Sequence, residues 1–315
     1  MRPLIATFFC SLLVFFSGCT KKERVWTFAL VPKLLDNPVF QVAHEGALAA
    51  AKELGEGKIE IQWAGPVTSD AAQQAQIIES LIERKVDGIA ISVNDADALK
   101  DVINKAIDTG IPVVTFDSDA PKSKRISFYG TYNYGSGKTM AELLIKFMGK
   151  EGKVALLTGT PGAPNLEERI NGFKDYIKDF PGIKIVDIQA CYDDINKGVS
   201  QMEAVMQAHP DLKGWVLIGG WPLFTPPPGP LAGKQPGKIT VIAFDALPEE
   251  LEYVRQGYVQ GLVGQKLFGW GYESVRLLKG IKEGKTFQPV IDSGVDIVTK
   301  ENVEEYALKW KTKKF

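Results

Sequence analysis

The sequence predicts an α/β chain made of two similar doubly wound parallel-sheet lobes. Two observations carry this. Short, continuous apolar runs alternate with segments of helical period, the pattern of strands covered on both faces by crossover helices. The rhythm then starts again after residue 130, so the chain reads as two α/β series rather than one long one.

In the first series, residues 25–31 are apolar and β-rich, and 38–54 have helical spacing with many alanines. A strand follows at 59–63, a helix at 70–83 with Asp70 as its N-cap, a strand at 88–92, a helix at 95–109 and a strand at 112–116. The second series runs through a helix at 134–148, a strand at 153–157, a helix at 165–179 and a strand at 183–189. It continues with a helix at 196–208, strands at 214–218 and 239–244, and a helix at 248–256. A strand at 258–263, a long helix at 265–283, a strand at 294–298 and a helix from Glu301 close the chain. The prolines between Pro222 and Pro236 forbid a regular helix there.

The N-terminus predicts export. Met1-Arg2-Pro3 is a short basic start, residues 4–16 are apolar, and Ser17-Gly18-Cys19 places small residues before a cysteine. This is the pattern of a secretory signal, too short and too soon followed by Lys21-Lys22 to span a bilayer. The expected division is a signal peptide at 1–18, which leaves about 300 residues, enough for two domains. Of the three cysteines, Cys10 would leave with the signal and Cys191 would stand alone, so no internal disulfide is expected. Net charge is −1 with lysines and acids interspersed, which argues against a nucleic-acid surface.

In a parallel α/β sheet, ligands bind beyond the carboxyl ends of the strands. The residues there are Lys33 and Asn37 with Phe40; Asp117 and Asp119; Asn165 and Arg169; Cys191 with Asp193; Gly220-Trp221; Asp245; and Gln265. Carboxylates accept from neighbouring hydroxyls, Arg and Asn donate to ring and hydroxyl oxygens, and aromatic faces receive C–H groups. That is the chemistry of a sugar site, with Phe40 and Trp221 as the flat faces. Each Asp or Asn alone would be an ordinary helix cap. Asp117 and Asp119 are too close to stay charged without a neutralising partner, and Asn165 and Arg169 sit four apart on one helix face.

These positions resemble the type 1 periplasmic binding proteins, in the branch of ribose, xylose and rhamnose binders. The resemblance runs from about Val25 to Val298. It is carried by Asn37-Pro38-Val39-Phe40, Asp87-Gly88-Ile89-Ala90-Ile91-Ser92, Val113-Val114-Thr115-Phe116-Asp117-Ser118-Asp119, Glu168-Arg169-Ile170-Asn171-Gly172-Phe173 and Val241-Ile242-Ala243-Phe244-Asp245. It implies ligand contacts from Asn37, Phe40, Asp117, Arg169, Asp245 and Gln265, and by spacing from Ser92 and Asp193. It implies a three-segment hinge near 130–133, 263–266 and 288–291. One lobe would be 25–131 plus 265–289, the other 132–264 plus 290–315. Cys19 resembles the lipobox cysteine, which would make 19–24 a lipidated linker holding the protein to the membrane, at the periplasm or the outer face of the cell. Val39, Ser118 and Gly220-Trp221 depart from the ribose binders, which makes ribose itself doubtful.

The expected function is capture of a monosaccharide and delivery to the membrane subunits of an ABC importer. The alternative is a sensor presenting a sugar or autoinducer to a chemoreceptor or kinase. A repressor of the same core would carry a helix-turn-helix first, and here the core begins directly after the signal. No enzyme, cofactor, metal site or nucleic-acid partner is expected. Gly135-Ser136-Gly137-Lys138-Thr139 lacks the first glycine of a phosphate loop, since position 132 is Tyr132, and reads as a helix start. His44 and His209 lie far apart and read as solvated helix residues.

Overall fold

A computed structural model describes residues 24–312 apart from Glu56. The expected signal at 1–18 and the expected lipid site at Cys19 lie outside the described residues, as does the expected linker up to Glu23.

The first lobe follows the predicted order: β1 (Trp26–Val31), α1 (Pro38–Gly55), β2 (Ile59–Trp63), α2 (Ala71–Glu83), β3 (Gly88–Ile91), α3 (Ala96–Asp108), β4 (Val113–Phe116) and β5 (Ser127–Gly130). Asp70 and Asp95 cap α2 and α3 by accepting from the first free N–H groups of each helix. The second lobe runs α4 (Asn133–Met148), β6 (Glu151–Thr158), α5 (Pro164–Ile177), β7 (Gly182–Ala190), α6 (Ile195–Ala208), β8 (Leu212–Leu217), β9 (Thr240–Phe244), α7 (Pro248–Arg255) and β10 (Gly261–Gly264). Between β8 and β9 the proline-rich stretch forms two short 3₁₀ turns, Trp221–Phe224 and Gly229–Leu231. Then α8 (Leu267–Lys282) and β11 (Val290–Asp292) return to the first lobe, and β12 (Asp296–Val298) and α9 (Val303–Thr312) finish the second.

The two sheets share one plan. Their orders are β2-β1-β3-β4-β5-β11 and β7-β6-β8-β9-β10-β12, parallel throughout except for the antiparallel β12. In each, the order reverses beside the first strand of the lobe, which places helices on both faces and opens a crevice at the strand ends. Strands β3, β4, β9 and β10 are buried at every residue, as continuous apolar runs require.

Two strands were not predicted. β5 and β11 are four and three residues long, and β11 is a half-exposed edge, too short to show a period. Their pairing moves one boundary. Val290–Asp292 lies in register with Phe128–Gly130. Residues 290–292 therefore belong to the first sheet, and the third crossing follows Asp292 instead of spanning 288–291.

Glycines set the closest helix contacts. A Cβ on Gly137 of α4 would overlap the Arg169 carbonyl of α5, and one on Gly172 would overlap the Tyr134 carbonyl. The Gly-Ser-Gly-Lys-Thr stretch is thus the packing face that seats α5, and with it Arg169.

Candidate functional site

The carboxyl ends of both sheets face one narrow cavity of about 30 Å³. The first lobe supplies Lys33, Asn37, Phe40, Asp117 and Trp270, the second Asn165, Arg169, Asp193, Trp221 and Asp245, and the second crossing supplies Gln265. Nine residues expected from sequence meet here: Asn37, Phe40, Asp117, Asn165, Arg169, Asp193, Trp221, Asp245 and Gln265.

The backbone aims the three carboxylates. Asp117, Asp193 and Asp245 follow β4, β7 and β9 with φ of 58°, 63° and 73°. After glycine, short polar side chains such as Asp take this left-handed conformation most readily, and it turns each residue off the end of its strand. Held at about 1 kcal/mol each or more, such conformations persist where the surroundings impose them and cluster at functional sites.

Arg169 is the centre of the network and almost completely buried. Its Nε donates to Asn133 Oδ1 (2.9 Å), Nη1 to the Ile218 carbonyl (3.0 Å) and Nη2 to Gln265 Oε1 (3.0 Å), while the guanidinium lies 3.6 Å over the Phe244 ring. Desolvation lowers its pKa to about 10, with Asp117 and Asp245 opposing, so it stays charged at neutral pH. Three of its five N–H groups are committed and two remain. Gln265 Nε2 donates to Asp245 Oδ1 (2.7 Å), and Gln265 Oε1 also accepts from Thr131 Oγ (3.1 Å) on the first crossing. The hinge is thereby wired to the site. Burial pushes the Asp245 carboxyl above its ordinary value, with Arg169 acting against it.

Asp117 joins the lobes. Ser92 Oγ donates to its Oδ2 (2.6 Å), and Asn165 Nδ2 of the opposite lobe donates to its Oδ1 (3.0 Å). Lys33 Nζ stands 3.7 Å from Asp117 Oδ2 and donates to Asn165 Oδ1 (2.8 Å). Sequence reasoning passed over Lys33 as a ligand residue, although a cation directly after an apolar strand was the available signal. Phe224, Leu166 and Trp270 also line the cavity and were missed. Trp270 sits far along the chain on α8, where nothing local marks it.

Two expected ligand residues do not reach the cavity. Ser92 is fully buried behind Asp117 and orients that carboxylate. Asp119 is used up structurally: Arg125 clamps both its oxygens (2.8 and 2.6 Å), while Thr115 Oγ and the Ala120 N–H donate to Oδ1. Arg125 and Lys33 are the cations that stand beside these two aspartates. Asn37 is both cap and wall, since its Oδ1 accepts from the Val39 N–H while the residue lines the cavity. Phe40 likewise packs on Phe116 and Trp270 in the core while lining the cavity.

His44 is not solvated as expected: it is half-buried and stacks on Trp63 at 4.6 Å, and burial lowers its pKa. Cys191 is buried with its thiol pushed up to about 12 by desolvation, which makes it inert as a nucleophile. No cluster of metal-ligating side chains occurs among the described residues, and no helix among them is long and apolar enough to cross a membrane.

Comparison with known proteins places these features in context. Residues 28–286 match the family model described as the periplasmic binding protein domain. The D-ribose/D-allose-binding protein of Pseudomonas aeruginosa is 29% identical, with 89% of each chain covered. A crystal structure of an ABC transporter solute-binding protein from Burkholderia graminis, in complex with D-arabinose, is 39% identical over 91% of this chain and 99% of its own, with a TM-score of 0.83. A solute-binding protein of Agrobacterium vitis bound with α-D-tagatopyranose is 27% identical, covers 90% and 98%, and also reaches 0.83.

Proposed function

Since this chain belongs to the periplasmic binding protein family, whose matched members are solute-binding proteins rather than enzymes, we propose that it captures a monosaccharide between its lobes and delivers it to an ABC importer. The observation that carries the reading is the wall of the central cavity. Three carboxylates, a guanidinium, an ammonium, three amides and the rings of Phe40, Trp221, Phe224 and Trp270 converge on one space. Two cations against three carboxylates leave it close to neutral, which suits an uncharged polyol better than a sugar acid or phosphate.

In the mechanism, Asp117, Asp193 and Asp245 accept from sugar hydroxyls. The two remaining N–H groups of Arg169, with Lys33, Asn37 and Asn165, donate to hydroxyl and ring oxygens. Trp221 and Phe40 take the two faces of the ring. A cavity of about 30 Å³ has room for one or two waters, so a sugar enters by parting the lobes. Entry exchanges the Asn165–Asp117 and Lys33–Asn165 bonds for bonds to the ligand. Because the sugar touches both lobes only when they close, it favours the closed form by its differential contacts. The importer's membrane subunits then receive the closed form, and lipid on Cys19 keeps the protein beside them, outside the cytoplasmic membrane.

A thermal-shift screen against pentoses, hexoses and deoxyhexoses tests the capture step, since a ligand bound by the folded state alone raises the melting temperature. At least one sugar is expected to raise it, and Arg169→Met to abolish the rise. A panel without any shift, or an equal shift in the variant, contradicts the reading. The anchor is tested separately by metabolic palmitate labelling, which Cys19→Ser should abolish.

A further inference from the structure

We infer that the hinge flank holds a second ligand site, one for a small aromatic ammonium compound, beside the central cavity and sharing only Asn165 with it. A cavity of about 590 Å³ lies there, within the range of about 300–1,000 Å³ typical of small-molecule sites. Phe128 and Val290 of the first lobe, Pro164 and Glu168 of the second, and Tyr132 and Asp292 at the crossings form its walls. Glu168 and Arg169 are neighbours on α5 that serve different spaces: Arg169 lines the central cavity, Glu168 the flank.

Two features select the ligand. The first is apolar surface left in water. Tyr132 and Val290 are 61% and 57% exposed, and both border this cavity. The ring of Tyr134 already carries Lys138 Nζ at 4.8 Å, which leaves Tyr132 and Phe128 to receive an aromatic group. The second is charge. Asp119 is satisfied by Arg125, whereas among the described residues Asp292 accepts from the backbone N–H groups of Tyr132 (3.2 Å) and Gly294 (2.9 Å) alone. Among the described residues, neither Asp292 nor Glu168 forms an ion pair. Burial and the nearby Asp119 hold the Glu168 carboxyl above its ordinary value, with Arg169 acting against them. An ammonium group would relieve that repulsion, while an anion would add to it. A ring on such a cation would cover the exposed tyrosine and valine.

The walls come from both lobes, so a bound molecule bridges them on the hinge side. Its binding is then coupled to movement of the lobes, and so to the central ligand.

The test uses phenethylammonium as the probe and phenethyl alcohol as its neutral isostere, titrated calorimetrically into the full chain. Without sugar, phenethylammonium is expected to bind saturably at one site and the alcohol several-fold more weakly. Glu168→Gln should weaken the ammonium about fivefold without changing the melting temperature, and Tyr132→Ala should weaken both compounds. No saturable binding, equal affinity for the two compounds, or an unchanged affinity in Glu168→Gln overturns the site. This arm needs no sugar, so it stands or falls apart from the central-cavity reading. With the strongest sugar of the thermal screen at saturation, the affinity of the probe should change about fivefold; an unchanged affinity overturns the bridging.

Discussion

Asp117→Asn removes one charge and leaves shape and backbone almost untouched. Asparagine takes positive φ as readily as aspartate, so the turn at 58° survives. The protein's own bonds also survive. The new amide oxygen can accept from Asn165 Nδ2, and the new NH2 can donate to Ser92 Oγ, which reverses its role. What disappears is the charged acceptor. A carboxylate offers about four lone-pair sites; Ser92 takes one and Asn165 releases another on sugar entry, leaving about three for hydroxyls. A hydrogen bond to a charged group contributes about 1.5–3 kcal/mol, so losing one such bond weakens binding roughly 10- to 150-fold. Lys33, 3.7 Å away and buried, loses its anion and costs the fold roughly 1–3 kcal/mol in addition. Titration calorimetry with the best sugar, well below the melting transition, separates the two effects. A dissociation constant within twofold of the parent would refute the assignment of Asp117 as a ligand carboxylate.

Three further outcomes follow from the same geometry. Arg125→Ala strips Asp119 of its clamp and should lower stability by about 3 kcal/mol or more while leaving sugar affinity unchanged, because neither residue borders the central cavity; a large affinity loss would restore Asp119 to the site. Gly137→Ala forces α4 and α5 apart at the Arg169 carbonyl, so urea unfolding and calorimetry should show stability and affinity falling together, and an unaltered affinity would contradict the seating of Arg169 by this glycine. Glu250 is fully buried with Oε1 unpartnered, and desolvation and Asp245 hold its carboxyl well above its ordinary value. The folded chain therefore keeps a proton that the unfolded chain releases, and stability drains as pH rises from the ordinary Glu value through the folded one. Glu250→Gln removes that loss, so its melting temperature should gain on the parent as pH rises above the ordinary Glu value; a constant or shrinking difference would be the contrary result.

Much of the fold was readable because buried parallel strands announce themselves. β3, β4, β8 and β9 are apolar runs bounded by helical stretches, and that local pattern needs no tertiary knowledge. β5 and β11 were invisible for the opposite reason: β11 exists by pairing with β5 across more than 150 residues, and β5 by lying between β4 and β11, not by their own composition. The site divides along the same line. Strand-end position singled out Asp117, Asp193 and Asp245, because topology sends ligands there. It could not tell Asp117 from Asp119, since the difference lies in Arg125 reaching back from six residues on to satisfy one of them. Nor could it rank Lys33, whose importance comes from Asn165 in the opposite lobe. Gly137 carried a misleading motif whose physical reason, helix contact, appears only once α5 is in place.

A crystal structure with the sugar that gives the largest thermal shift tests the central claim most directly. Ring density should lie between the lobes, with hydroxyls within about 3 Å of Asp117, Asp245 and Arg169 and a face against Trp221. Sugar density anywhere else on the molecule, with these four side chains untouched, would contradict it.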